Sequence, residues 1–174
     1  MVEKMGAAMK LMTLVRYGLF AVALGFLTTF AATGQTDPYW DGFYAYHYSQ
    51  DYKTALRIWL PLAEQGNAGT QWSVGSMYEE GRGTPQDYAE AAKWYRKAAE
   101  QGNEAAQWDL GALYAKGQGV TQDYIAAHMW FSLAAAQGDE MSREERDRVA
   151  KAMSPAQIAE AQRLAREWMA NHGK

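Results

Sequence analysis

The feature that most constrains this chain is an internal repeat of 36 residues that runs from Asp51 to Gly138. A shift of 36 positions brings the same short motifs back into register. They include three Asp-Tyr pairs, at 51–52, 87–88 and 123–124, and two Gln-Trp pairs, at 71–72 and 107–108. A fixed period of this length is typical of a solenoid, in which similar supersecondary units stack and bury a shared core. The sequence therefore predicts an architecture more clearly than a function.

Each repeat has the pattern of two helices. Asp87 precedes Glu90 by three residues, as in a helix-capping box. Apolar residues then follow at steps of three and four, the period of one helical face: Ala91, Trp94, Tyr95, Ala98 and Ala99. Gly102 should end this helix and Asn103 should cap the next one. The loops at 81–86 and 117–122 are expected to place their glycines at positive φ. A phosphate-binding loop is disfavoured because no strand precedes them and the required lysine is missing.

These motifs resemble the Sel1-like repeat, a relative of the tetratricopeptide repeat. The matching residues are Ala106-Gln107, Leu110-Gly111, Leu113-Tyr114, Gly117, Gly119-Val120, Gln122-Asp123-Tyr124, Ala127 and Trp130. The resemblance covers about residues 37–138, and it implies helical stacking and a role in protein interaction rather than a reaction. We therefore expect an all-α fold: a short right-handed α-solenoid of stacked antiparallel helix pairs, with a C-terminal capping helix.

The first 34 residues have the pattern of a secretory signal. Lys4, Lys10 and Arg16 precede an uncharged apolar run from Tyr17 to Ala32, and small residues follow it. The run is shorter than the ~20 residues that a spanning helix needs. The sequence predicts a signal peptide over residues 1–34, or an N-terminal anchor if it is not cleaved. The remainder would then be exported, with the periplasm of a Gram-negative cell as its expected location and this segment as its only contact with a membrane.

The exported part divides into three segments. Residues 35–66 are expected to form an N-terminal hairpin like a tetratricopeptide repeat, and residues 67–138 two Sel1-like repeats. Residues 139–174 are expected to form capping helices, because charged residues replace the aromatic and glycine positions and a terminal repeat needs one polar face. Ser154 and Gln157 form a second capping box. An apolar stripe follows that would close the end of the stack: Ile158, Ala161, Leu164, Ala165 and Trp168.

The composition argues against several kinds of chemistry. There is no cysteine, which excludes disulfides and thiolate metal sites. The three histidines do not share a helix at a ligand spacing, and the serine nucleophile motifs Gly-x-Ser-x-Gly and Ser-x-x-Lys are absent. We therefore expect no catalytic residue, no metal and no cofactor. A net charge of −3 without a cluster of Lys or Arg argues against a nucleic-acid partner.

The aromatic residues are the best candidates for a functional surface. Tyr78, Tyr114, Trp94 and Trp130 are expected to pack in the core. Trp72 and Trp108 lie on the first helix of each pair, which by analogy with tetratricopeptide repeats faces a concave groove. Large amphipathic rings are enriched at recognition hot spots. A looser alignment extends the candidate groove to this set: Trp40, Tyr44, His47, Trp72, Ser76 and Trp108. The alternative is that these tryptophans pack between adjacent hairpins as core.

The leading hypothesis is an interaction scaffold that holds a protein or peptide segment in this groove. Two alternatives come from other classes. Cysteine-rich relatives of the family suggest an envelope hydrolase or a β-lactam-binding protein, although this chain lacks their disulfides. Stacked tryptophans would also suit the faces of sugars, as in a module that binds cell-wall or exopolysaccharide chains.

Overall fold

The computed structural model describes residues 37–172, and these form α-helices joined by short turns. The helices are α1 Pro38–His47, α2 Tyr52–Glu64, α3 Ala68–Glu80, α4 Tyr88–Glu100, α5 Glu104–Lys116, α6 Tyr124–Ala136, α7 Glu140–Ala150 and α8 Pro155–His172. No strand occurs in this part of the chain, so the predicted all-α class is confirmed. None of the helices between residues 37 and 172 is long and apolar enough to cross a membrane. The expected signal segment, residues 1–34, lies outside the described residues.

The chain divides into two compact units, one ending at Ile58 and the other beginning at Trp59. In the first unit, α1 begins as expected: the side chain of Asp37 accepts a hydrogen bond from the amide of Tyr39, and Pro38 occupies the first turn. Proline suits that position because its missing N–H would have no partner inside the helix. Aromatic rings then cover α1, and Tyr46 packs edge-on against Tyr52 at a centroid distance of 5.1 Å.

In the second unit, the helices stack in the order of the sequence. Each helix from α3 to α6 packs on the next one, and α8 returns to pack on α6. Ala161 and Ala165 of α8 are buried, and the ring of Trp168 meets that of Trp130 at 6.4 Å. Helix α8 therefore covers the last repeat, which confirms the predicted C-terminal capping helix. Its first turn has the predicted capping box, in which Ser154 and Gln157 each accept from the other's amide.

Two glycines explain how closely the helices of each pair approach. A Cβ placed on Gly75 would lie 2.6 Å from a ring carbon of Tyr95, and one on Gly111 would lie 2.9 Å from a ring carbon of Phe131. Real Cβ atoms do not approach a ring so closely, so in each pair an aromatic side chain packs directly on the backbone of the first helix. The predicted glycine conformations in the loops are also confirmed, since Gly81, Gly83, Gly117 and Gly119 all have positive φ.

Buried glutamines connect successive helices in a second way. Gln71 donates to the carbonyl of Ala63 at 3.0 Å and accepts from Gln101 at 2.7 Å. One repeat later, Gln107 donates to the carbonyl of Ala99 at 3.2 Å and accepts from Gln137 at 2.9 Å. These four amides form a glutamine ladder along the stack. Because a buried amide is costly without partners, the ladder fixes which carbonyl each helix must face.

Candidate partner-binding surface

The predicted site residues of the second unit lie on the first helix of each pair. Trp72 and Ser76 are one turn apart on α3, so they share a face, and Trp108 takes the place of Trp72 on α5. All three side chains are partly exposed. By contrast, Trp94 and Trp130 are only 8% and 7% exposed, which confirms their expected place in the core.

Trp72 is held from two sides. Its ring packs against the cluster that contains Leu110 and Leu113, on the first helix of the following repeat. Its indole N–H donates to the Oδ2 atom of Asp109, also on that helix, at 2.7 Å. Trp72 is thus partly exposed and also a contact between repeats, so the two interpretations of this position are not exclusive.

Trp108 has similar packing but a different polar environment. Its ring contacts the cluster formed by Phe131, Val149, Ala161 and neighbouring residues. Its indole nitrogen is buried and has no acceptor among the described residues. Glu145 is the counterpart of Asp109 in the next copy of the repeat, but Glu145 pairs with Arg148 on its own helix. The bond that joins α3 to α5 is therefore not repeated between α5 and α7.

The predicted residues of the first unit all lie on α1. Trp40 meets Phe43 at a centroid distance of 5.5 Å, and Phe43 meets His47 at 4.2 Å. Tyr44 stacks on Tyr48 at 5.5 Å with an interplanar angle of 18°. Trp40 and Tyr44 are half-buried and His47 is exposed. Within this unit the three residues therefore belong to one patch of interacting rings.

A group of polar residues near Trp72 was not among the sequence-based candidates. The hydroxyl of Tyr95 donates to Oε2 of Glu79 at 2.7 Å, close to the bond between Trp72 and Asp109. Burial raises the pKa of Asp109 to about 7; the hydrogen bond from Trp72 and the charge of Lys116 oppose this rise, and the neighbouring glutamates add to it. The pKa of Tyr95 is also raised, first by burial and then by the charge of Asp109.

The repeat alignment contained a signal for this group. Asp109 stands where the preceding copy has Ser73, Glu79 stands where the next copy has Ala115, and Tyr95 corresponds to Phe131. A polar residue that departs from its counterpart in another repeat has a local reason to be there. The predicted site residues follow from the aromatic spacing along the first helices, which does not single out these three positions.

The structure also brings one serine close to a histidine, but it offers no activated nucleophile there. Ser132 Oγ lies 3.4 Å from Nδ1 of His128, while the same hydroxyl donates to the backbone carbonyl of His128 at 2.7 Å. The hydroxyl proton is thus used within the helix, and the imidazole is only 3% exposed. Burial lowers the pKa of His128. Among residues 37–172, no group of three or more His, Cys, Asp or Glu side chains could hold a metal ion.

Three features define an α-helical repeat scaffold: stacked helix pairs with equivalent caps, aromatic rings packed on glycines, and a glutamine ladder that includes the buried Gln71 and Gln107. A family model described as "Sel1 repeat" matches residues 39–67, 69–103 and 104–139, which is more than half of the chain. The chain belongs to the Sel1 repeat family. The first match covers most of the N-terminal segment, where the sequence predicted a hairpin like a tetratricopeptide repeat.

Solved structures support the same assignment. A protective antigen present in uropathogenic Escherichia coli strains, which displays an SLR fold, is 30% identical with a TM-score of 0.73; the match covers 78% of this chain and 30% of that one. A Sel1 repeat protein from Oxalobacter formigenes is 30% identical with a TM-score of 0.62; the match covers 80% of this chain and 59% of that one. This chain therefore spans less than two thirds of each of these proteins. No curated protein matches it. Sel1 repeats generally mediate protein–protein interactions.

Proposed function

We propose that this protein is an exported scaffold without catalytic activity, and that it binds a protein or peptide segment on a surface formed by Trp72, Ser76 and Trp108. The observation that carries the proposal is how Trp72 and Trp108 are exposed and packed. Each is partly exposed, and each is held by packing in a core cluster on its other side. A ring that is already fixed loses little conformational entropy when a partner covers it, so it can contribute most of its contact area to affinity.

The aromatic patch on α1 provides a second candidate surface. Trp40, Tyr44 and His47 lie on one helix, and the exposed positions His47 and Tyr48 leave part of the patch open to solvent. Tyrosine and tryptophan combine apolar area with a polar group, which suits contact with a peptide. We include these residues in the proposed function as a surface of the first unit.

The test compares two substitutions of a small residue by arginine. Ser76→Arg places a long charged side chain one turn from Trp72, where it would obstruct a bound segment. Ala136→Arg is the matched control, because Ala136 is exposed at the end of α6, a second helix of a pair, where a cation is favourable. Both variants should be folded by circular dichroism. Photo-crosslinking in envelope extracts should then identify a partner with the unmodified chain and with Ala136→Arg, and lose it with Ser76→Arg.

An identified partner that crosslinks equally well to Ser76→Arg would contradict the proposed surface. A positive result is complete only when the purified partner binds the unmodified chain and binds Ser76→Arg at least tenfold more weakly. A hot-spot residue usually contributes about 2 kcal/mol or more to binding. A loss of that size weakens affinity by more than the tenfold required here.

The export part of the proposal rests on the composition of residues 1–34. The mature protein should begin between Ala32 and Gln35 and should appear in a periplasmic fraction. N-terminal sequencing of the purified native protein measures the first residue directly. Retention of residues 1–30 in an envelope fraction would indicate an anchored protein, and recovery of the full chain in the cytoplasm would show that it is not exported.

A further inference from the structure

The carboxylate of Asp109 lies where the two repeats meet. It is carried by α5, it accepts from the indole of Trp72 on α3, and it is half-buried. On the same side, the Tyr95 hydroxyl of α4 binds Glu79 of α3. Three helices from two repeats therefore contribute to one polar group, and two of its four side chains are carboxylic acids. We call this group the junction cluster: Trp72, Glu79, Tyr95 and Asp109.

The charges around Asp109 are unbalanced. Glu79 and Glu80 of α3 face it with negative charge, whereas Lys116 of α5 is the positive group that acts on it. Tyr95 of α4 contributes no charge, because its own pKa is raised by burial. Helix α6 adds neither a carboxylate nor an ammonium group between Tyr124 and Ala136. A carboxylate that is removed from water beside like charges is stabilised by taking up a proton.

We propose that the junction between the two repeats is a proton-linked contact, in which the closed arrangement of α3 and α5 holds a proton on Asp109 and opening releases it. The Trp72–Asp109 hydrogen bond joins α3 to α5. Separating these two helices would therefore break the bond and expose the carboxylate of Asp109 to water. The proposal concerns the junction itself and holds whichever partner the surface binds. Trp72 belongs both to this junction and to the proposed binding surface, so the position of its ring on that surface would depend on pH.

The direction in which pH changes the stability of the closed junction follows from proton linkage. In the closed junction the pKa of Asp109 is about 7, whereas in an opened, hydrated junction it would return towards its ordinary value of 3.8. The closed form therefore binds more protons between these two values, and its stability falls as pH rises through that window. Within the window, the equilibrium constant for opening should increase by up to tenfold per pH unit. Below about pH 4 and above about pH 7 the dependence should disappear.

The experiment measures hydrogen exchange at the indole N–H of Trp72 by NMR from pH 5 to pH 8, with the resonance assigned by Trp72→Phe. Asp109→Asn gives the baseline, because asparagine retains a carbonyl oxygen as acceptor and has no proton to lose. Wild-type exchange divided by Asp109→Asn exchange should increase with pH up to about pH 7 and then level off. The matched control is Glu104→Gln, an exposed acid on the same helix, which should behave as wild type.

A second measurement does not depend on the folding of the Asp109→Asn variant. The chemical shift of the Trp72 indole should titrate in the wild-type protein with a midpoint near pH 7. Glu79→Gln removes a like charge while retaining an acceptor for Tyr95, so it should lower that midpoint. A wild-type midpoint below pH 5, a midpoint that Glu79→Gln does not lower, or an exchange ratio that is constant from pH 5 to pH 8 would each overturn the proposal.

Discussion

Residues 68–103 and residues 104–139 form two copies of the same helix pair, and their backbones agree at each turn. All four helices have 13 residues. The first helix of each pair ends at a left-handed glycine, Gly81 with φ 69° and Gly117 with φ 68°. The second helix of each pair begins at an aspartate with φ −149°, Asp87 and Asp123. The conserved period therefore corresponds to one backbone conformation used twice.

The side chains between the helices differ in the two copies. In the first, Tyr95 packs on Gly75 and its hydroxyl is bound by Glu79. In the second, Phe131 packs on Gly111, and the counterpart of Glu79 is Ala115. A hydroxyl and its acceptor are thus present together or absent together. This paired change keeps the buried polar group satisfied in one copy and avoids it in the other.

The position of each copy in the stack explains a second difference. The first copy is followed by another repeat, in which Asp109 accepts from Trp72 and Gln107 donates to the carbonyl of Ala99. The second copy is followed by α7, where Arg143 and Glu145 occupy the corresponding positions and pair with charges on their own helix. Helix α7 therefore ends both inter-repeat hydrogen-bond series. Equivalent residues in a solenoid do not have equivalent environments.

The largest expected effect separates core tryptophans from surface tryptophans. Trp94→Ala and Trp130→Ala should each lower the free energy of unfolding by about 3–5 kcal/mol, because each leaves a cavity in a closed core. Trp72→Ala and Trp108→Ala should cost less, about 1–3 kcal/mol, because both side chains are already partly exposed. Urea denaturation followed by circular dichroism measures all four. Equal losses for Trp72 and Trp94 would show that Trp72 acts chiefly as core.

The second prediction concerns the contact between the loop at residues 117–122 and the start of α4. Gly119 has φ 68°, and a Cβ on it would lie 2.2 Å from the carbonyl carbon of Tyr88. Gly119→Ala should therefore destabilise the protein by about 3 kcal/mol, through strain at positive φ and displacement of the first copy. Gly138→Ala is the control, because it has positive φ but nothing within 4 Å of an added Cβ, and it should cost only about 1 kcal/mol. Similar melting temperatures for the two variants would contradict the close approach.

The third prediction concerns substitutions that introduce the Tyr95–Glu79 pair of the first copy into the second copy. Phe131→Tyr places a hydroxyl in a fully buried position opposite Ala115, and it should cost about 1–3 kcal/mol for the unsatisfied group and the added volume. Adding Ala115→Glu recreates the arrangement of Tyr95 and Glu79 and should recover part of that loss. A double-mutant cycle measures the coupling. If the two substitutions are simply additive, the paired change between the copies is not a hydrogen-bond requirement.

The smallest expected effect concerns the N-caps of the first helices, where the two copies should lose the same stability. Asn67 accepts from the amide of Thr70 at 2.9 Å, and Asn103 accepts from the amide of Ala106 at 2.9 Å. Asn67→Ala and Asn103→Ala should each lower stability by about 1 kcal/mol, the usual loss for an N-cap. Thermal melts of the two variants should differ by less than either differs from wild type. A much larger loss at one site would show that the cap also serves the stack.

The candidate site could be predicted only in part. The period and the aromatic spacing identified Trp72 and Trp108 correctly as partly exposed positions on first helices, because a repeat places equivalent residues on equivalent faces. Their contacts on the other side depend on residues about 36 positions away, such as Asp109 for Trp72. Asp109, Glu79 and Tyr95 are ordinary residues when each is considered alone. Burial of Asp109 where the helices meet, with the charges of Glu79 and Glu80 beside it, raises the pKa of Asp109.

The class, the helix pairs, their caps and the closing helix can be predicted from local sequence. They depend on capping side chains, left-handed glycines and the spacing of apolar residues along one helix. The packing of the helices sets which indole has an acceptor, which hydroxyl has a carboxylate and which acid has a raised pKa. Those properties depend on burial and on charges brought together by stacking. No further repeat follows α7, and so two repeats with the same backbone conformation have different polar contacts.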